Sequence, residues 1–387
     1  MSVKALKDLK SKYLRNNVSL LIGSGFSKNA SDKFPLWGPL LEDMILEVFP
    51  EINDPNSDFK KIYQSYGYLG VIDKFLSVKG IRESIEAYIQ NHIPVIDYKT
   101  GALRINSKKV DKLDDANLEL HLKLLEGNWK NIFTTNYDQL LEYCNYKNKK
   151  HWEVIEDSSK LSIGEDPAII KLHGTLSCNN HFYFDGQVRH KYIFTREDYQ
   201  KYPNEHEAFT QLMRISLLRG TFCLLGFSGE DPNFTSWVYW VRSVVQSNTA
   251  EKKLPNIKKI YLIALSVKQL PEDRRLFYQN HKIELISLRD KQVLKAIAGS
   301  ATDSDKDIIR KFLQYLYDKE DVNIILSRIS KDLSSISTNQ KMELFKTLDK
   351  LRNSIEISPN LLINILLKYS KRNPDSLDVR RTCKVTP

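Results

Sequence analysis

Short apolar runs, each followed by a glycine or a small polar residue, recur along the chain as far as residue 288. They lie at residues 17–22, 132–134, 168–172, 221–226, 258–265 and 283–288. Runs of this length and composition are typical of strands, and several are continuous Val, Ile and Leu sequences of the kind found in sheets covered on both faces. The pattern therefore predicts a doubly wound parallel sheet in an α/β fold.

Helical periodicity fills much of the remaining sequence. Apolar side chains three and four residues apart predict helices at 3–15, 205–219 and 233–245, and several more between residues 36 and 130. Within that last stretch, Asp97 to Lys109 is predicted to be a loop. So long a helical insertion between the first two strands predicts a small subdomain, about 36–130, that covers a pocket at the strand ends.

The strand signal stops near residue 295, which we take as a domain boundary. Helical spacing alone continues beyond it, so we predict a first domain over 1–295 and an appended helical domain over 296–387. A plain structural extension fits this second domain as well as a surface for assembly does. In the first domain, the aromatic and polar residues from Phe182 to Phe194 predict a hairpin on the rim of the sheet.

Four of the apolar runs end in residues with chemistry to offer. The first ends at Gly23-Ser24-Gly25-Phe26-Ser27, the second at Thr135-Asn136-Tyr137-Asp138, the third at Lys171-Leu172-His173-Gly174 and the fourth at Gly226-Phe227-Ser228. Ligands of open α/β sheets bind in the crevice beyond the carboxyl ends of the strands. The four ends therefore predict one shared pocket.

The glycine turn at residues 23–27 suits a phosphate. Gly23 and Gly25 permit close approach of the backbone, and serine hydroxyls and free amides hold anions where a helix begins. A dinucleotide fingerprint would place a third glycine where Lys28 stands. A tight turn without a ligand explains the same residues.

His173 and Asn136 form the candidate catalytic pair. A histidine takes a proton near neutral pH or binds a sugar hydroxyl, and an asparagine orients a water or a ribose without adding charge. Asp138 is a candidate for holding a ribose hydroxyl or the histidine. A satisfied structural histidine and a helix cap at Asn136 are the simpler alternatives.

Charge and composition narrow the partners only slightly. The chain of 387 residues has 58 Lys and Arg against 48 Asp and Glu, a net charge of +10, with 41% hydrophobic residues. Because the lysines are scattered, a solvated surface or an anionic ligand explains the charge, and nucleic acid is not directly indicated. No apolar run is long enough to span a membrane, and the N-terminus lacks the apolar block of a secretory signal, so we expect a cytoplasmic protein.

The cysteines give no metal signature. There are four of them, Cys144, Cys178, Cys223 and Cys383, and no two have the short spacing of a zinc knuckle. We therefore expect reduced thiols and no zinc.

Taken together, five motifs resemble those of sirtuin-like domains, most closely those of the bacterial branch that acts in antiphage defence. They are the four strand ends above, the last extended through Glu230-Asp231-Pro232-Asn233-Phe234, together with Phe34-Pro35-Leu36-Trp37, and they occur in the same order over roughly residues 15–290. The resemblance implies an NAD-binding, Rossmann-like fold beside a small helical domain.

The resemblance also implies roles for residues. Gly23, Ser24 and Gly25 would face the NAD phosphates, Asn136 and Asp138 the nicotinamide ribose, and Gly226 and Ser228 the adenosine half, with His173 as the catalytic histidine. Ser27 and Phe227 would also bind NAD. The cysteine pairs that hold zinc in sirtuin deacylases are missing, since Cys178 alone stands in that region. The loop after the first glycines also departs from the deacylase pattern.

These departures favour relatives that hydrolyse NAD. The resemblance thus implies an NAD glycohydrolase that consumes NAD as a substrate, with Asn136 positioning the water, and it leaves open a deacylase, an ADP-ribosyltransferase or a non-catalytic NAD sensor. It further implies a homo-oligomer and a possible partner, a HerA-type hexameric ATPase.

Overall fold

In the computed structural model, the described residues are 2–48, 55–80, 82–148, 152–157, 160–161, 167–176, 192–247, 259–266, 270 and 272–318. Most of the predicted hairpin at Phe182–Phe194, from residue 182 to residue 191, and most of the predicted C-terminal domain lie outside them. Cys178 and Cys383 lie outside them too.

A seven-stranded parallel sheet forms the centre of the molecule, and six of its strands lie where the apolar runs predict them. Its strands are β1 (Val18–Ile22), β5 (Ile132–Thr134), β6 (Glu153–Ile155), β7 (Ala168–Lys171), β8 (Thr221–Leu225), β9 (Ile260–Ala264) and β10 (Ile283–Ser287). They are arranged in the order β10-β9-β8-β1-β5-β7-β6. The fold is a Rossmann-like α/β fold.

Helices occur at the predicted positions 3–15, 205–219 and 233–245 and within 36–130, and others occur where none was predicted. They are α1 (Ser2–Tyr13), α2 (Ser24–Ser27), α3 (Trp37–Val48), α4 (Pro55–Lys79), α5 (Arg82–His92), α6 (Asp115–Leu125), α7 (Leu140–Lys147), α8 (Arg196–Glu205), α9 (Glu207–Arg219), α10 (Pro232–Ser247), α11 (Glu272–Asn280), α12 (Lys291–Ala296) and α13 (Asp305–Tyr317).

Helices cover both faces of the sheet. Leu20 points into an apolar cluster with residues of α1, α6 and α13, whereas the next residue, Leu21, points into a second cluster with residues of α9 and α10. Burial on both faces explains why the strands read as continuous apolar runs.

Two strand assignments differ from the sequence prediction. The predicted loop Asp97 to Lys109 belongs to an antiparallel sheet of β2 (Val95–Ile96), β3 (Ala102–Ile105) and β4 (Lys108–Lys112). Strand β4 is largely solvent-exposed, so it carries no apolar alternation. Strand β6, at the edge of the main sheet, has three residues, too few to show a period.

The inserted subdomain has its own apolar cluster, built from α3, α4 and α5. Tyr137, Leu176 and Phe194 join this cluster from loops beyond the strand ends. The insertion therefore packs over the carboxyl edge of the sheet.

The first compact unit ends at Tyr317, beyond the boundary predicted near residue 295. Helix α13 buries Ile308, Phe312 and Leu316 in the same cluster as α1 and α6. Its amphipathic pattern alone does not tell whether the apolar stripe faces the sheet domain or a separate one.

Strand β1 lies between β5 and β8. The strands from β5 to β7 are added on one side of β1, and those from β8 to β10 are added on its other side. Ile22 is paired with Thr134 on one side and with Leu225 on the other. This topological switch point is where open α/β sheets bind ligands.

Candidate functional site

The two glycine turns at the switch point pack directly against each other. The Gly25 amide donates to the Gly226 carbonyl at 3.0 Å, and the Gly23 amide donates to the Leu225 carbonyl at 3.2 Å. A Cβ on Gly226 would lie 2.2 Å from the Phe26 nitrogen, and its φ of +64° also favours glycine. These glycines are therefore required for loop-to-loop packing, whether or not a ligand is bound.

The other predicted residues of the two turns differ in how they are placed. Ser24 begins α2 and is half-buried. Phe227 is buried edge-on against Phe234, with ring centroids 5.4 Å apart. The Ser228 carbonyl accepts a hydrogen bond from the Tyr278 hydroxyl at 2.8 Å. Phe227 thus contributes to the core, whereas Ser24 keeps part of its surface open.

Ser27, Asn136 and Asp138 form a buried hydrogen-bond chain, which we call the asparagine side of the site. The Ser27 hydroxyl donates to Asp138 Oδ2 at 2.7 Å, and Asn136 Nδ2 donates to Ser27 Oγ at 3.0 Å. Asp138 Oδ1 accepts from the Leu140 amide at 3.1 Å. Ser27 therefore contacts the site's own side chains.

This chain fixes the orientation of the Asn136 amide. A carboxylate only accepts hydrogen bonds, so the Ser27 hydroxyl donates a hydrogen bond to Asp138. The Ser27 oxygen must then accept a hydrogen bond from the NH₂ group of Asn136. The Asn136 Oδ1 atom is then the one directed away from Ser27. Gln139 precedes α7, and the Asn136 amide is bonded to Ser27, so the helix-cap alternative for Asn136 is wrong.

A buried ion pair lies beneath the asparagine side. Lys171 Nζ contacts Glu142 Oε1 at 2.8 Å and donates to the Asp138 carbonyl at 2.5 Å, and Thr175 donates to the same Glu142 oxygen at 3.3 Å. Burial raises the pKa of Glu142, and Lys171 opposes that shift. The pair joins β7 to α7, and its further hydrogen bonds reach the loop after β5 at Asp138 and the loop after β7 at Thr175.

His173 has a different environment, which we call the histidine side: His173, Asp231 and Tyr199. The ring is 3% exposed, and Nε2 makes no hydrogen bond to any residue that the structure describes. Asp231 Oδ2 lies 3.6 Å from Nε2, beyond hydrogen-bond distance, and accepts from the Tyr199 hydroxyl at 3.0 Å. Burial lowers the pKa of His173, while Asp231 opposes the shift, so the imidazole is neutral at pH 7.

Strand register brings the two sides to the same edge of the sheet. Thr134 on β5 pairs with Lys171 on β7, and Asn136 and His173 each follow two residues later. Sequence reasoning predicted this pair but assigned no role to Asp231, Tyr199, Lys171 or Glu142. An Asp-Pro start of a helix, as at Asp231-Pro232, is a local signal that was available for Asp231.

Neither a metal centre nor a membrane helix is found in the described part of the chain. Within those ranges, no three His, Cys, Asp or Glu side chains gather as they would around a metal ion. The helices described there also lack the length and apolar character needed to cross a bilayer.

Comparison with known proteins identifies the domain type. Residues 130–286 match the SIR2-like domain family. The chain is 21% identical over 285 residues to Defense-associated sirtuin 2 of Bacillus subtilis, which covers 73% of this chain and 24% of that protein. It is 22% identical over 244 residues to NAD(+) hydrolase ThsA of Bacillus cereus, which covers 62% of this chain and 43% of the relative.

A second ThsA, from Enterococcus faecium, is 30% identical over 120 residues, or 30% of this chain. The chain spans less than half the length of these relatives. The resemblance inferred from the motifs is thus confirmed, and the region of the domain match contains Asn136, His173 and Asp231.

Proposed function

We propose that this chain, which contains a SIR2-like domain, is an NAD glycohydrolase that depletes NAD in antiphage defence. Relatives named NAD(+) hydrolase and defence-associated sirtuin support the activity and its context. The observation that carries the proposal is the hydrogen-bonded amide of Asn136 and the buried His173, which follow neighbouring strands at the same edge of the sheet. The cytoplasm, where NAD is available, is the proposed compartment.

The reaction needs a positioned water and little else from the protein. The bond between the ribose carbon and the nicotinamide nitrogen breaks, and its electron pair leaves with nicotinamide. Water adds to the ribose carbon through an oxocarbenium-like transition state and loses a proton. We assign Asn136 Oδ1 to hold the water and His173 to hold the ribose hydroxyls or take the proton.

The glycine turns and Ser24 support a site for an anionic dinucleotide. The half-buried Ser24 and the turns at Gly23–Gly25 and Gly226–Ser228 flank the switch point, and we assign the phosphates and the adenosine half to them. Asp138 acts on the nicotinamide ribose through Asn136, since both of its carboxylate oxygens are engaged. The inserted subdomain packs over the strand ends and would exclude bulk water.

Product analysis tests this function. Purified protein is incubated with NAD, and nicotinamide and ADP-ribose are quantified beside the Asn136→Ala and His173→Ala variants. We expect release by the wild type and at least a 100-fold loss in each variant, with NAD binding retained. Normal turnover in Asn136→Ala would refute the assignment, and binding without release by the wild type would indicate an NAD sensor.

Acceptor dependence separates hydrolysis from group transfer. If nicotinamide release required an acyl-lysine peptide or an acceptor protein, the enzyme would be a deacylase or an ADP-ribosyltransferase. We expect release in buffer alone.

Assembly is proposed for the region after the compact domain. We assign homo-oligomer contacts, and the binding of a HerA-type hexameric ATPase, to residues after Tyr317, where the first unit ends. The motif resemblance supports this pairing. Sizing of the full chain alone and with the ATPase tests it, and a monomer in both samples would refute it.

A further inference from the structure

The His173 ring is held on several sides by groups outside the motif that contains it. Tyr199 and Tyr202 stand edge-on to the ring, with centroids 5.6 Å and 6.0 Å away. The Tyr202 hydroxyl donates to the Leu172 carbonyl at 2.9 Å. With the two tyrosine rings in these positions, Nε2 faces one carboxylate, that of Asp231.

Asp231 is itself held in place through both oxygens. Oδ1 accepts from the Phe234 amide at 2.9 Å, as a helix cap does at the start of α10. Oδ2 accepts from the Tyr199 hydroxyl and is the oxygen 3.6 Å from His173 Nε2. The carboxylate therefore keeps its position whether or not it contacts the histidine.

We propose that Asp231 is the positioning residue for His173: it holds the imidazole with the proton on Nε2 and leaves Nδ1 to act on the substrate. This inference rests on the proposed NAD hydrolysis. A carboxylate can only accept, so a neutral imidazole that faces it places its N–H there, and the other nitrogen keeps its lone pair. Nε2 has no other partner among the described residues.

The proton balance of the reaction gives Asp231 a second task. When water adds to the ribose carbon, one water proton goes to Nδ1 and the imidazole becomes a cation. The Asp231 carboxylate stabilises that cation, and the 3.6 Å separation closes to a charge-assisted hydrogen bond. The proton then passes to solvent as ADP-ribose leaves.

Two other titratable groups face His173. Asp198 favours the charged imidazole and His206 disfavours it, and both act less strongly than burial and Asp231. Asp198 also caps a helix, α8, by accepting from the Thr195 amide at 2.8 Å. It is therefore a matched control for Asp231, a helix-start carboxylate near the same ring.

Asp231→Asn separates the two roles of this residue. Asparagine caps helices as well as aspartate does, so α10 keeps its cap while the charge facing His173 is lost. We expect a loss of about 100-fold in kcat, unchanged KM and unchanged Tm, with Asp198→Asn within threefold of wild type. An Asp231→Asn protein as active as Asp198→Asn would overturn the proposal.

Nitrogen NMR of the imidazole tests the proposal without turnover. In the wild type we expect the proton on Nε2, and in Asp231→Asn a mixture of tautomers and a lower His173 pKa. A wild-type histidine with its proton on Nδ1 would overturn the proposal even if the variant did not fold. If the His173 proton were on Nε2 but the protein released no nicotinamide, the proposed function would be refuted. The positioning of His173 by Asp231 would still stand.

Discussion

The asparagine and histidine sides of the site solve opposite problems. Ser27, Asn136 and Asp138 are bonded to one another, so the direction of the Asn136 amide is set before any ligand arrives. On the histidine side, Nε2 of His173 has a carboxylate nearby but no hydrogen bond within the described residues. One side is suited to hold a fixed geometry and the other to change its protonation.

The buried ion pair beneath the asparagine side gives the largest expected effect on stability. In Lys171→Met, Glu142 and the Asp138 carbonyl lose their donor, and we expect a loss of about 3 kcal/mol in the free energy of unfolding. Chemical denaturation measures it. Lys201→Met, which breaks an exposed pair with Glu197, should lower the free energy of unfolding far less, because exposed ion pairs contribute little. Equal losses in both variants would mean that the buried pair contributes no more to the stability of the fold than the exposed pair does.

The hydroxyl of Ser27 gives the next effect. Ser27→Ala leaves Asp138 Oδ2 and the Asn136 amide without their partner, so we expect about 1–3 kcal/mol lower stability and a kcat lower by about 10- to 100-fold. Nicotinamide release and thermal unfolding measure the two. Ser77→Ala, on an exposed helix surface, is the control and should change neither. Full activity in Ser27→Ala would show that Asn136 is oriented by other contacts.

Stability against pH should have opposite signs on the two sides. The pKa of His173 is lowered from 6.5 in the folded state, so its contribution is complete above pH 6.5 and is lost as pH falls below that value. The pKa of Glu142 is raised above 4.5, so its contribution is complete below pH 4.5 and is lost as pH rises through the folded pKa.

The unfolding free energies of wild type, His173→Gln and Glu142→Gln, measured from pH 4 to pH 8, isolate these contributions. Each unit of pKa shift corresponds to about 1.4 kcal/mol. The difference between wild type and His173→Gln should shift in favour of wild type as pH rises, and the Glu142→Gln difference should move the other way. The same sign for both would remove the contrast between the two sides.

The smallest effect is expected at Tyr199. Tyr199→Phe keeps the ring beside His173 but removes the hydroxyl that donates to Asp231, so Asp231 becomes a better acceptor for the histidine. We expect less than a tenfold change in kcat and a higher His173 pKa in the NMR titration. A fall in that pKa would show that the hydroxyl holds Asp231 in place rather than competing for it.

The sequence predicted the histidine and asparagine but not their surroundings, for a physical reason. Both residues end apolar strands, and parallel strands place their ends together, so the local pattern was sufficient. Ser27 contacts Asp138 across 111 residues of sequence, and Lys12 contacts Tyr261 across 249, and no local periodicity reports such distances. Strand β4 was missed because its surface position removes the apolar alternation.

The glycine turns show the same limit from another direction. Gly23 and Gly25 were predicted for their backbone freedom, with phosphate binding as the reason, and Gly226 was assigned by resemblance to the adenosine half of NAD. The structure shows that they also fill the space between two loops, with room for no Cβ at Gly23 or Gly226. Proximity of two distant turns is a property of the folded sheet, which a single turn cannot reveal.

The position of β1 between β5 and β8 also governs when the site can exist during synthesis. Val18 completes its strand pairing only after Thr221 has been synthesised, and the histidine side also requires Asp231. At about 5–20 residues per second, a ribosome needs roughly 10–40 s to travel from Ser27 to Asp231. A nascent chain therefore carries Asn136 and His173 for some time before it has a complete sheet around them, and the proposed NAD hydrolysis cannot begin until β8 and Asp231 have emerged.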